Sequence, residues 1–265
     1  RLKLDANSRI SLSNNDSGTS NTIFGYLAGA AGLSGGENNV LIGDNAGNDL
    51  TSGDQNVIIG EQAGDALVGG DDNTFIGQNA GGATTAGTEM VIVGRNAGIA
   101  VLTADATGTV LVGHSAGAAL TSGIGNVAIG YQAMDANQTS DYNIAIGQSA
   151  LGAVNGDGTG GNTAVGYIAG QTITDGVLNT IVGNSALALN AQSDRNVAIG
   201  YAAAYRHQYN GVGANVCIGT EAGFNNEAGL NNTYVGNKAG TGTSAADNSN
   251  NTAVGSNAML AVTTG

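Results

Sequence analysis

The chain has 265 residues with 46 Gly, no Pro and no Trp, and only 10% of its residues are charged. Gly is more than twice its usual ~7% share, which excludes an ordinary enzyme composition, and the lack of Pro and of a three-residue Gly period excludes collagen. The net charge of −13, with seven Lys and Arg, argues against a nucleic-acid partner, and no apolar run approaches the ~18 residues of a membrane span.

A single cysteine, Cys217, rules out an internal disulfide framework. The chain begins at Arg1 without a signal segment, which reads as a fragment of something longer. In residues 1–20, Leu2-Lys3-Leu4 and Ile10-Ser11-Leu12 alternate apolar with polar around a short turn. This predicts a small β lead-in from an upstream segment.

From residue 21 onward a repeat takes over. Asn-Val-Ile-Ile-Gly-Glu-Gln-Ala-Gly (56–64), Asn-Val-Ala-Ile-Gly-Tyr-Gln-Ala-Met (126–134) and Asn-Thr-Ala-Val-Gly-Ser-Asn-Ala-Met (251–259) are copies of one pattern. Anchored on its central glycine, the pattern recurs fourteen times from Gly25 to Gly255, at intervals of 17 residues eight times, 19 four times and 18 once. Ala stands three residues after every anchor, as in the pairs Gly60/Ala63, Gly130/Ala133 and Gly200/Ala203, which serve as structural anchors of the repeat. Position −1 is always Ile, Val or Phe, and position −3 always Val, Ile or Thr. Position −4 is Asn in twelve copies, Met90 and Thr109 being the exceptions. Low-complexity disorder does not hold one residue type at one phase through fourteen copies.

Residues two apart share a face of a strand, so each motif reads as a strand of about four residues that ends at Gly. The β-branched −3 and −1 columns are expected to form the core. The variable −2 column, which includes Cys217, would then be an outward apolar stripe covered by self-association. Ala at +3 implies an inward position with room for one methyl. A second, more variable strand is expected in each coil, and Gly at the anchor suits a corner with positive φ. Length variation is confined to Gly-, Ser- and Asp-rich turns such as Leu50-Thr51-Ser52-Gly53-Asp54-Gln55, the mark of a solenoid with indels at one corner. Fourteen coils at ~4.8 Å would build a rod about 65–70 Å long. Asn at −4 either stacks into a hydrogen-bonded ladder or merely opens a strand after a turn.

Chemistry-bearing residues are sparse. His114 and His207 lie in unrelated coils, and Gly113-His114-Ser115-Ala116-Gly117 has the wrong order for a nucleophile elbow. No Cys/His cluster points to zinc. The acidic turns Asp71-Asp72 and Asn155-Gly156-Asp157-Gly158 keep no fixed phase, so solvated turns are preferred to calcium sites. Residues 201–210 gather Tyr201, Tyr205, Arg206, His207 and Tyr209 at one corner. They make a candidate surface contact patch, with coil packing or a neighbouring chain as the bland reading. The chain then ends in Val262-Thr263-Thr264-Gly265, a turn just before the next Asn, so the repeat is expected to continue beyond it.

The motif Asn-Thr/Val-x-Ile/Val-Gly-x-x-Ala over residues 21–265 resembles the head repeats of trimeric autotransporter adhesins. The longer period, Asn162-Thr163-Ala164-Val165-Gly166 and the lead-in Leu4-Asp5-Ala6-Asn7-Ser8-Arg9-Ile10-Ser11-Leu12-Ser13 are even more similar to repeat regions of tailed-phage fibres. The resemblance implies a homotrimeric left-handed β-roll. The adhesin coil is shorter, and its Ser after the corner is replaced by Ala at +3. The expectation is therefore an all-β parallel solenoid of about fourteen coils, with a lead-in at 1–20 and the roll at 21–265. The expected function is a non-enzymatic structural and adhesive segment of a virion tail fibre. Its expected partners are its own copies, other tail proteins and a host-surface glycan or protein receptor, with no cofactor, metal, nucleic acid or membrane insertion. A bacterial surface adhesin head is the second reading. An ice-binding solenoid is the third, set back because Thr at −3 reads as buried.

Overall fold

A computed structural model describes residues 18–103, 106–156, 160–189, 192–208, 211–242 and 249–260. Residues 1–17 of the lead-in predicted at 1–20, and the last five residues, lie outside the described residues. Fourteen three-residue strands, from Thr22–Phe24 to Thr252–Val254, stack in chain order into one parallel sheet. Each pairs in register with the next, as Val127–Ile129 does with Ile144–Ile146. Among the described residues there is no α-helix, and the fold is a parallel β-solenoid of one rung per repeat.

The facing of the strand is the reverse of the expectation. The middle residue at −2 points inward: Leu41, Ile58, Phe75, Ile92, Leu111 and Cys217 are fully buried. The −3 and −1 columns face out, with Val91, Ile129 and Ile146 each 37% exposed. The interior is thin. It takes one side chain from the strand, the Ala at +3 opposite, and a third column at +7 that includes Leu50, Leu67, Leu120 and Ile173. Two columns of large β-branched residues on the strand would not fit there. The alanines of the repeat anchors, Ala63, Ala133 and Ala203, have no exposed surface and sit in the core cluster. They share this narrow space with the −2 side chains, so a larger residue at +3 would overpack it.

In several rungs the volume at −2 is traded against position +4, whereas Ile181 with Leu187 and Ala198 with Ala204 do not follow this. A Cβ added to Gly117, at +4, would lie 2.6 Å from Cδ2 of Leu111, and one added to Gly64 would lie 3.0 Å from Phe75. Where −2 shrinks to Ala128, Ala145 or Ala253, position +4 grows to Met134, Leu151 or Met259. Ala164 keeps Gly170 at +4, and there Leu151, Ile173 and Ile181 close in from around it. The rungs are thereby filled toward the interior density that cores require.

The anchor glycine is set by two constraints at once. Gly130 has φ +139°, and a Cβ there would sit 2.6 Å from the carbonyl oxygen of Gly147 on the next rung. Gly200, at φ +132°, meets Gly219 in the same way, at 2.5 Å. The corner therefore needs both a left-handed backbone and a bare backbone surface.

The expected second strand is replaced by stacked turns. Positions −5, +2 and +4 have positive φ in every rung, including non-glycine residues such as Gln62, Gln132, Ile168 and Leu187. The alternation turns successive N–H groups in opposite directions along the rod. Asn45 N–H donates back to Tyr26 at 2.9 Å, whereas Gly47 N–H donates forward to Ala63 at 2.9 Å. The anchor alanines accept in the same way. Gly117 N–H donates to the Ala133 carbonyl, and Leu187 N–H to the Ala203 carbonyl, each at 2.9 Å. Outside the main sheet, Ser193–Asp194 pairs in parallel with Gly211–Val212.

The Asn ladder is present. Asn179 Oδ1 accepts Asn196 N–H at 2.9 Å and Asn196 Nδ2–H at 3.1 Å. Asn179 Nδ2 donates to Asn162 Oδ1 at 3.0 Å and to the Ser193 carbonyl at 2.9 Å. The same arrangement links Asn21, Asn39, Asn56 and Asn73. Met90 N–H still donates to Asn73 Oδ1 at 3.0 Å, but Met90 offers no carboxamide to the next rung. Thr109 instead sends its Oγ1 to Gly123.

Candidate interaction surfaces

The outward strand face carries two side-chain columns along the sheet. The −1 column is aliphatic apart from Phe24, and the −3 column is Val, Ile or Thr. Several members are more than a third exposed, among them Ile42, Ile76, Ile144, Val182 and Val254. In-register pairing lines them up without offset.

Beside this face runs the +1 column, immediately after the glycine corner. Its backbone is locked between rungs: Ser149 N–H donates to Tyr131 at 3.0 Å, Ile168 N–H to Gln148 at 2.9 Å, and Ser185 N–H to Tyr167 at 3.0 Å. Its side chains point to solvent, with Tyr131 49%, Tyr167 48% and Tyr201 54% exposed. His114, one rung before Tyr131, stacks on it with centroids 5.4 Å apart. His114 Nδ1 also lies 3.0 Å from Ser115 Oγ, a contact between chain neighbours. Next to the column, Gln132, Asp135, Ser149, Gln171 and Thr172 line a shallow polar groove. Partial burial there raises the Asp135 carboxyl above its ordinary range.

The residues predicted to form a patch at 201–209 are dispersed. Tyr201 belongs to the exposed +1 column, whereas His207 is an interior residue at +7, 1% exposed. Its Nδ1 lies 3.1 Å from the Asn226 carbonyl and its Nε2 3.3 Å from Asn215 Nδ2. That network assigns the neutral ring with the proton on Nδ1, and burial lowers its pKa. Tyr205 stacks on Phe224 of the next coil at 5.1 Å, and Arg206 pairs with Glu227 at 3.6 Å. Tyr209 lies outside the described residues. Coil-to-coil packing therefore accounts for His207, Tyr205 and Arg206. Cys217 is sealed in the core, where burial pushes its thiol up to about 12.

The anchor alanines belong to no contact surface. Ala203 is two residues from Tyr201 in sequence, yet it faces the interior while Tyr201 faces solvent. Ala133 and Ala63 are closed off in the same way. A ligand on the +1 column therefore cannot touch them, and their part is to set the width of the rod.

Asp157 and Gly158 of the second acidic turn lie outside the described residues, and the acidic turns at Asp54, Asp71 and Asp194 cap backbone. Asp54 Oδ1 accepts Glu37 N–H at 2.7 Å, Asp71 Oδ1 accepts Asp54 N–H at 2.9 Å, and Asp194 Oδ1 accepts Val177 N–H at 2.9 Å. Among the described residues no three His, Cys, Asp or Glu side chains converge as a metal site, and no helix is long and apolar enough to cross a membrane.

The surface features not anticipated from the sequence are the exposed +1 column and the outward facing of −3 and −1. The first was legible as Tyr131, Tyr167 and Tyr201 at one phase. Comparison with protein-family models, with curated proteins and with solved structures gives no match.

Proposed function

We propose that the chain is a segment of a homotrimeric structural and adhesive fibre, of the kind that extends from a virion tail and supports attachment to a host surface. The observation that carries this reading is the continuous outward strip of Ile, Val and Thr side chains on the sheet, its −1 column aliphatic apart from Phe24. Fourteen rungs at ~4.8 Å, with two columns about 7 Å apart, make a strip of several hundred Å². That is the size of patch that marks an interaction surface on a soluble protein. A second copy matches it rung for rung, because every rung carries the same two columns, and closure around a three-fold axis would leave no strip uncovered. The resemblance to adhesin heads and phage fibres supports three copies rather than two. In this reading the rod is extracellular. A bacterial surface adhesin head would use the same rod on a cell envelope.

The test is absolute mass in solution by light scattering. The fibre reading expects about three times 25.8 kDa, and expects I129K/I146K to give monomers that keep their β signal. A wild-type monomer at the highest soluble concentration would sink it. The ice-binding reading is measured alongside, because Thr occupies −3 in six of fourteen rungs and this column faces out rather than in. Thermal hysteresis from a monomer would put that reading in place of the fibre.

A further inference from the structure

We propose that the +1 column from Tyr131 to Tyr201 is a binding track for an extended polysaccharide of equatorially 1,4-linked pyranoses. Five successive rungs present Tyr131, Gln148, Tyr167, Asn184 and Tyr201 at the same corner. All three tyrosines are about half exposed on rungs whose backbone is fixed. Tyr recurs on alternate rungs, so the rings stand about 9.5 Å apart at the strand spacing of ~4.8 Å. A chain of equatorially 1,4-linked pyranoses is a flat ribbon in which each ring is turned over relative to the last, so equivalent C–H faces recur every second ring. The length of two rings is close to two rungs. Amide side chains lie between the aromatics, where ring hydroxyls need donors and acceptors. The polar groove of Gln132, Ser149 and Gln171 runs beside the column and supplies more.

The pattern fits a repeating ligand better than a folded protein partner. A protein hot spot clusters aromatics at the centre of a patch, whereas the three tyrosines are spread along a line with one spacing, with His114 stacked on the first of them. The net charge of −13 argues for a neutral glycan over an acidic one. The inference deepens the adhesive side of the fibre reading and rests on it for the ligand's being a surface glycan. It is independent of the number of chains in the rod.

The test is titration calorimetry with three hexasaccharides: β-1,4-linked glucose, β-1,4-linked N-acetylglucosamine and α-1,4-linked glucose as control. At least one β-linked hexamer is expected to bind, with affinity rising through the length series up to an oligomer that reaches from Tyr131 to Tyr201, about 19 Å. Y167A is expected to weaken binding at least tenfold with its β signal intact. Y26A, at a distant exposed tyrosine of the same phase, is expected to bind as wild type. Failure of all three hexamers to bind overturns the track, as does equal binding of the α-linked control or undiminished binding by Y167A. A trimer that binds no glycan would refute the track and leave the fibre reading standing. A glycan-binding monomer would do the opposite.

Discussion

Replacing Asn179 by Ala tests the ladder where it is complete. The side chain makes four hydrogen bonds within 3.1 Å, two given and two accepted. At about 1 kcal/mol net for each, their loss is worth about 4 kcal/mol. The buried Asn196 N–H loses this acceptor, and a stranded buried group adds ~1–3 kcal/mol. Some relief comes from relaxation of the corner, so the expected loss is about 3–6 kcal/mol, confined to neighbouring coils because a solenoid's stability is a sum of nearest-neighbour contributions. Native-state hydrogen exchange reads it directly: the Asn196 amide should lose protection while amides of rungs 43–77 keep theirs. Asn179→Asp separates hydrogen bonding from shape. A carboxylate there would face Asn162 Oδ1 and the Ser193 carbonyl, both acceptors, so its folded pKa is expected above the usual ~3.9. The folded state of that variant then binds more protons than the unfolded state, and its stability should rise as pH falls through the raised value. An Asn179→Ala protein within ~1 kcal/mol of wild type, with the Asn196 amide still protected, would refute the ladder as a source of stability.

Volume exchange across the core is tested by a double-mutant cycle. A128L alone should overpack against Met134 and lose about 1–3 kcal/mol, while A128L/M134G should recover the loss, with a coupling above ~1 kcal/mol in denaturant unfolding. Interior burial of His207 lowers its pKa below the free value near 6.5. The unfolded state therefore binds more protons in the window just below 6.5, and stability should fall as pH drops through that window. H207N, which places the side chain found at this phase in Asn137 and Asn226, should remove that slope in melts between about pH 7 and 5. Cys217, with its thiol raised to about 12 and no exposed surface, should resist a thiol reagent in the native rod and react at the rate of local opening. Prompt labelling would contradict its inward position.

The repeat, its parallel stacking, the inward Ala at +3 and the glycine corner were legible because each leaves a fixed residue at a fixed phase. Ala133 and Ala203 are buried as that constancy implied. The direction of the strand faces was not legible. Constancy at −3 and −1 was read as core, yet in this rod the outer face is constant and the inner residue varies. In several rungs the variation is local compensation, visible once Leu111 is set against Gly117 and Ala128 against Met134. It was present in the sequence as a correlation between positions six apart, which a column-by-column reading does not test. The +7 column was also missed, because Leu50, Leu67, Leu120 and Ile173 share their phase with Thr84, Asn137 and His207. The polar members keep the shape of the corner through bonds such as Asn137 Oδ1 accepting Ser140 N–H at 3.0 Å.

The stacked turns were invisible for a different reason. Left-handed backbone at +2 falls on Gln, Ser, Lys, Glu and even Ile, with φ near 49–58°, residues that composition does not associate with that region. The strain is tolerated because hydrogen bonding between rungs fixes both ends of each turn: Ile168 N–H is held by Gln148 and the next residue but one, Gly170, by Ala186. The same constraint places successive +1 residues one strand spacing apart and aims them out of the rod. A repeat that needs a bent, glycine-cornered backbone for its own closure thus leaves one solvent-facing column free to vary in side chain while fixed in position. From Tyr131 to Tyr201 that column carries Tyr on alternate rungs, beside a strip of Ile, Val and Thr. The two surfaces have different chemistry, so in the proposed fibre the strip would be covered by other copies of the chain while the column stays open to the proposed glycan.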